Sequence, residues 1–274
     1  MSILKAVVIQ FPGSNCEYET IRALKLVGFD ADLVRWNDEG ERILSADVVV
    51  LPGGFSFQDR VRAGAISAKL PVLDYVKEAS QKGALVMGIC NGCQILVEAG
   101  LVPQTSDQMV CAMRHNHFES APVEYMCDWV YVKVLNPDKS PFTKGIDPHA
   151  VFPVQVAHGE GCFEFAKDTD LSFLEDITQF VYCTRDGEPI GSFPVNPNGS
   201  HANLAGITNV KGNVFAFMPH PERGVFLHQI PLSMRNTWSR LKSNGNDHIS
   251  FGPWYPLFER MKRNLDAQRA GELV

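Results

Sequence analysis

The sequence predicts an α/β fold, an open and mostly parallel sheet with helices on both faces, and three observations carry that prediction. Short apolar, β-branched runs alternate with helix-periodic stretches through the first hundred residues. The runs are apolar at nearly every position, as strands covered on both faces are, and not at every second one. The 274 residues, 45% hydrophobic and 20% charged, fit one large domain with a sizeable core.

In chain order, residues 5–10 (KAVVIQ) predict the first strand. Residues 17–27 predict a helix, with Ile21, Leu24 and Val27 on one face. Strands follow at 32–36 and 47–51 (DVVVL), a helix at 71–81, and a strand at 84–87. Further on, 130–135, 151–156 and 179–183 read as strands between turn-rich loops, and 204–208 and 214–218 return to sheet patterning. After Gly252-Pro253, a helix places Leu257, Phe258, Met261 and Leu265 on one face. It is expected to pack on the body, giving a single domain over 1–274 with a helical tail from about residue 252. No internal repeat or low-complexity stretch interrupts this plan.

The formal net charge of −6 argues against a nucleic-acid surface. The apolar run at 3–9 is strand-length, far below the ~20 residues of a membrane span. Seven cysteines are an odd number in a chain too large to depend on disulfides, so reduced thiols in the cytoplasm are expected.

Residues 84–97 read ALVMGICNGCQILV: an apolar strand, then Gly88-Ile89-Cys90-Asn91-Gly92, then a helical pattern. Glycines two before and two after a nucleophile are needed where a tight strand-to-helix turn crowds neighbouring backbone. Such a nucleophile elbow holds the Cys90 sulfur above the sheet edge, beside a helix N-terminus that favours thiolate. The bland alternative is a buried cysteine in an ordinary turn. Cys93 completes a C-x-x-C, but no second pair or spaced histidines make a zinc site, and redox motifs of this kind lack the flanking glycines. His115-x-His117 lacks a third ligand, so no metal is assigned.

Residues 214–224 read VFAFMPHPERG. Prolines on both sides of His220 favour extended backbone, in which side chains at i and i+2 point the same way. Glu222 is therefore expected to bond one ring nitrogen of His220 and leave the other free to take a thiol proton, the logic of a nucleophile, base and orienter. Gly53 and Gly54, after the strand at 47–51, lie at the carboxyl edge where open α/β sheets bind ligands, and their backbone admits close approach.

GICNGCQ at 88–94 together with HPE at 220–222 resembles the class I glutamine amidotransferases, which have a Cys-His-Glu triad and a flavodoxin-like fold. The finer similarity is to the glutaminases of phosphoribosylformylglycinamidine synthase. It rests on FPGSNCE at 11–17, PGGFSFQD at 52–59, RAGAISA at 62–68, AHGEG at 157–161, NPNGS at 196–200 and MPHPER at 218–223, in the family's order. Three positions depart: Gln58 and Cys162 stand where glycine and arginine are usual, and Asp128 where a basic residue is.

The resemblance implies Cys90 as nucleophile, His220 as base and Glu222 as orienter. It implies an oxyanion hole from Gly53, Gly54 and the Asn91 N–H, and glutamine held by Gln94, His158 and Gly159. It implies that the ammonia goes to a partner synthetase, with a small bridging subunit possible in such assemblies, that makes the amidine of formylglycinamide ribonucleotide in purine synthesis. No G-x-x-x-x-G-K-[ST] occurs, so ATP and Mg²⁺ are expected in the partner and no cofactor in this chain. Two other readings stay open: a stand-alone cysteine hydrolase of another γ-glutamyl substrate, and a non-catalytic binding subunit. The second is disfavoured by the complete triad and by the lack of a G-x-G-x-x-G before the first helix.

Overall fold

The alternation begins where the sequence places it: β1 (Lys5–Gln10) buries Ala6 through Ile9, and α1 (Glu17–Leu26) follows. The computed structural model describes residues 3–104, 109–117, 124–244 and 250–271. Next come β2 (Asp30–Arg35), α2 (Glu41–Leu44), β3 (Val48–Leu51), α3 (Val72–Gln81), β4 (Leu85–Ile89) and α4 (Asn91–Glu98). Strands β3 and β4 are buried at every position, which is why they read as continuous apolar runs.

The second half adds β5 (Cys111–Arg114), β6 (Met126–Val134), β7 (Val151–His158), β8 (Cys162–Phe165), α5 (Leu174–Ile177), β9 (Thr178–Cys183), β10 (Leu204–Thr208) and β11 (Val214–Phe217). Helices α6 (Thr237–Ser243) and α7 (Tyr255–Ala270) close the described chain. One nine-stranded sheet runs β2-β1-β3-β4-β11-β10-β9-β6-β7, and β5 pairs with β8 in a separate ribbon. Its first five strands pair in parallel; from β11 onward every ladder is antiparallel. Only β10 and β6 run against the rest, so the sheet is mostly parallel in direction.

Topology explains the two helical layers. Helix α1 carries the chain from β1 outward to β2, whereas α2 and α3 carry it the opposite way, from β2 to β3 and from β3 to β4. Right-handed crossovers in opposite directions lie on opposite faces. The contacts agree, since α1 touches α7 while α2 touches α3. The tail helix α7 buries Leu257, Phe258, Met261 and Leu265, the expected face, each worth about 2 kcal/mol of burial. Trp254, just before it, donates from Nε1 to the Pro153 carbonyl at 2.7 Å and packs among Phe152, Phe180 and Phe217.

From β1 the chain winds one way to β2 and the other way to β3 and β4, and the neighbours β1 and β3 flank the switch point at which such sheets open a crevice at their carboxyl ends. Register aligns those ends: Leu51 of β3 and Ala216 of β11 both sit opposite Gly88 of β4. The segments at 52–54, 90 and 218–220 therefore leave the sheet side by side.

The chain after β3 is strained. Phe57, Gln58, Asp59 and Val61 all take positive φ, 53°, 60°, 51° and 75°. This accounts for the glycine that the resemblance expects at position 58. Left-handed backbone costs a side-chain-bearing residue ~1–2 kcal/mol, against ~0.5–1 kcal/mol of extra entropy lost by glycine. Gln58→Gly is thus expected to raise stability by up to ~1 kcal/mol, read as a higher urea midpoint at unchanged slope. A lower midpoint would contradict this strain account. Of the other departures, Cys162 is buried beside Arg114, its cross-strand partner, and Asp128 is exposed and accepts from the Trp129 N–H at 2.7 Å.

Candidate active site

Cys90 lies between β4 and α4 with φ 51° and ψ −106°, a conformation that L-residues rarely adopt. Its neighbours explain why the elbow is glycine-flanked. A Cβ on Gly92 would collide with the Leu51 carbonyl, and one on Gly88 with the Gly92 carbonyl. The Cys90 N–H is fixed to the Phe217 carbonyl at 2.9 Å. The thiol is 4% exposed, lies 3.5 Å from the Ala157 carbonyl, and lines a cavity of about 530 Å³. Cys93, on the same helix, is fully buried in the core and burial pushes its thiol pKa well up, so the elbow presents one sulfur.

His220 follows β11 and is tied to β7 by its N–H, which donates to the Gln155 carbonyl at 2.9 Å. Its Nδ1 is 2.6 Å from Glu222 Oε1, both residues being almost fully buried. The bond expected from sequence is present, but the backbone that makes it differs. Residues Pro221–Gly224 form a 3₁₀ turn, not an extended run, and the turn swings the carboxylate back onto the ring. A carboxylate on Nδ1 fixes the proton there and leaves Nε2 as the basic nitrogen. Nε2 has no partner among the described residues. Burial works against the imidazolium, but the charges of Glu222 and Cys90 outweigh it and hold the His220 pKa well above its ordinary value. The ring is thus a strong proton acceptor beside the Cys90 sulfur.

Three further groups, which the sequence reading did not single out, converge here. Cys16 sits 4.0 Å from His220 Nδ1, and Arg223 donates to its sulfur at 3.0 Å. Burial raises the Cys16 pKa, against the hydrogen bond from His220. Arg223 also lies 3.8 Å from Glu222 Oε1 and 3.6 Å from Glu19. Donor atoms of Cys16, His220 and Glu222 fall within 4.8 Å of one another, the grouping among the described residues that comes nearest to a metal site. The Arg223 cation against the sulfur disfavours an ion there. Asn116 is the third group: it accepts from His158 Nδ1 at 3.2 Å and from the Gly161 N–H at 3.1 Å. The signal for Cys16 was its place in FPGSNCE; Asn116 carried none.

The Gly53 carbonyl accepts from both the Asn15 and Cys16 N–H groups at 3.3 Å. A trans peptide points its N–H opposite to its carbonyl, so the Gly54 N–H faces away from that anchor, and Gly54 lines the Cys90 cavity. Gly53 lies under the imidazole instead, where an added Cβ would come within 2.7 Å of His220 Cε1. Asn91 offers only its backbone to a ligand. Its side chain accepts from the Ser56 N–H at 3.1 Å and donates to Gln94 Oε1 at 2.9 Å, strapping the glycine loop to α4.

Gln94, one turn after Cys90, lines the cavity and donates to the Glu160 carbonyl at 2.6 Å. His158 and Gly159 line it too. Because Asn116 donates to the His158 carbonyl, its oxygen must face the ring, which places the ring proton on Nδ1. Burial, then the nearby His220 charge, lowers the His158 pKa to about 3, so it is neutral. His115 and His117 lie at the mouth, both exposed.

A thiol, a carboxylate-oriented imidazole and the Gly54 backbone N–H beside one cavity are suited to acyl transfer from a carboxamide. Comparison with known proteins points the same way. Residues 4–264 match the model of the CobB/CobQ-like glutamine amidotransferase domain. The chain is 37% identical to phosphoribosylformylglycinamidine synthase subunit PurQ of Methanothrix thermoacetophila, over 97% of this chain and all of that one. It is 44% identical to the PurQ subunit of Symbiobacterium thermophilum, over 79% of this chain and 86% of that one. The structure of PurLQS from Thermotoga maritima contains a chain that superimposes with a TM-score of 0.70 at 29% identity, covering 96% of this chain and 100% of that one.

Proposed function

This chain belongs to the CobB/CobQ-like glutamine amidotransferases, as a PurQ-type subunit of phosphoribosylformylglycinamidine synthase, and from that premise we propose how its residues release ammonia and where the ammonia goes. The observation that carries the reading is the Cys90 thiol on a strained elbow beside an imidazole oriented by Glu222 at 2.6 Å.

The Cys90 proton passes to His220 Nε2, and the thiolate attacks the glutamine carboxamide carbon. The Gly54 and Asn91 N–H groups receive the oxyanion, and Gly53 sets the loop that carries the first of them. On collapse the C–N bond breaks, and His220 Nε2–H protonates the leaving nitrogen as ammonia. A γ-glutamyl thioester remains on Cys90. Water then gives its proton to His220, attacks the thioester, and releases glutamate as the sulfur recovers the proton. Gln94, His158 and Gly159 surround the substrate.

The ammonia passes to a synthetase subunit of the same assembly, in which ATP and Mg²⁺ drive amidine formation on formylglycinamide ribonucleotide; a small bridging subunit can join the two in assemblies of this kind. That the Thermotoga maritima neighbour is a PurLQS assembly supports this partnership. The chain acts as one domain, since one sheet spans β2 to β7 and α7 packs against α1. Cytoplasmic placement fits its seven free cysteines; among the described residues no helix is long and apolar enough to cross a membrane.

Glutamine hydrolysis without an acceptor wastes ammonia, so the chain alone is expected to release glutamate slowly and to be activated by its synthetase. The device is the glycine loop: the Gly53–Gly54 peptide flips at little steric cost once the Asn15 and Cys16 bonds to the Gly53 carbonyl are given up. Docking biases it only if the partner binds the competent state better. Glutamate release is to be compared for the chain alone and with saturating synthetase and its substrates. An increase of ~10-fold or more, about 1.4 kcal/mol of coupling, is expected; an equal rate in both would remove the gate.

A further inference from the structure

The cavity that holds Cys90 has an acidic end. Asp59, Glu124 and Glu160 line it, and among the described lining residues there is no lysine or arginine. Burial first, and then the Glu160 charge, push the Asp59 pKa up to about 6. Both are held in place by the machinery around Cys90. Asn91 Nδ2 donates to Asp59 Oδ1 at 3.2 Å, and the Ala63 N–H donates to Glu160 Oε2 at 3.1 Å. The Glu160 backbone is pinned by Gln94, one helical turn from the nucleophile, about 5.4 Å along the axis.

One further feature, independent of the carboxylates, marks this end as built for a ligand. His158, 2% exposed, lines the same cavity with its Nε2 unpartnered among the described residues. With the ring proton on Nδ1, that nitrogen is a buried acceptor awaiting a donor. Paired carboxylates and a neutral imidazole acceptor call for a compact cation with several N–H bonds. A free amino acid brings one, its α-ammonium, at the far end from the carboxamide that meets the sulfur.

We propose that Asp59 and Glu160 bind the α-ammonium group of the substrate, restricting the site to free glutamine over acylated or peptide-linked glutamine. The inference rests on the glutaminase reading. It adds the pair that chooses among carboxamides to the triad that cleaves them.

The test uses the complex reconstituted with its synthetase. Glutamate release from L-glutamine is compared with hydrolysis of glutaramate, which keeps the carboxamide and carboxylate but lacks the amino group. The quantity read is the ratio of the two kcat/KM values, in the parent and in Asp59→Asn and Glu160→Gln. Each variant is expected to lower the ratio by about 10- to 100-fold, the worth of a charge-assisted hydrogen bond, mainly through the KM for L-glutamine. Alkylation of Cys90 by iodoacetamide, an uncharged probe, reports an intact elbow. An unchanged ratio in both variants with parental alkylation overturns the proposal, as does an equal fall for both substrates. A parent complex that releases no glutamate from L-glutamine, yet works with ammonium salts, sinks the glutaminase reading instead and takes this inference with it.

Discussion

Cys90→Ala is expected to lower glutamine-dependent amidine formation by ~10⁴-fold or more, the usual loss on removing a nucleophile that acts within a triad. Synthesis from added ammonium salt should remain close to parental. The two outcomes separate because the variant removes only the ammonia source. The substitution is structurally mild: alanine fits where the thiol stood, and the positive φ at position 90 is already tolerated by a β-carbon. Cys93→Ala is the control. It deletes a sulfur enclosed in the core, so it is expected to lower stability while retaining most of the glutaminase rate. Loss of ammonia-dependent synthesis in Cys90→Ala would reassign Cys90 to a structural role.

His220→Asn is expected to slow thioester formation by ~10³-fold or more. Glu222→Gln should cost at least tenfold yet less than His220→Asn, because it removes the orienter and leaves the proton acceptor. The geometry gives this second variant a signature in its pH profile. The Glu222 carboxylate, 2.6 Å from Nδ1 and almost fully buried, is a main source of the raised His220 pKa, opposing the burial that lowers it. Removing the carboxylate lets the imidazolium deprotonate at lower pH. The alkaline limb of kcat/KM should therefore move to lower pH in Glu222→Gln. A limb that stays put, with turnover at the parental rate, would mean that Glu222 does not set the state of His220.

Much of this was legible in the sequence, for physical reasons that differ by element. Strands β3 and β4 are enclosed by helices, so their continuous apolar runs could be read almost residue by residue. Strand β6 begins at Met126, earlier than the expected 130; its first residues include the exposed Cys127 and Asp128, which look like loop in the sequence. The short ribbon β5–β8 and the four-residue helices α2 and α5 were not foreseen, since so few residues carry no period.

At the site, the glycine requirement around Cys90 follows from sterics that any sequence must obey. The hydrogen bond expected between Glu222 and His220 is present, but the backbone argument for it does not hold, since the prolines make a 3₁₀ turn there. Cys16 and Asn116 lie far from both Cys90 and His220 in sequence and reach the site only through tertiary packing, whereas Arg223 follows Glu222 directly but meets Cys16 only in the fold. A linear reading sees their residue types but not their neighbours.

The central claim is that Cys90 carries a γ-glutamyl thioester in turnover, and intact-mass spectrometry of acid-quenched complex tests it most directly. A chain heavier by glutamine less ammonia, mapped to the peptide containing Cys90 and gone after hydroxylamine treatment, is the result predicted. An unmodified Cys90 peptide throughout steady-state glutamate release, sampled also in the slowed Glu222→Gln enzyme, would contradict it.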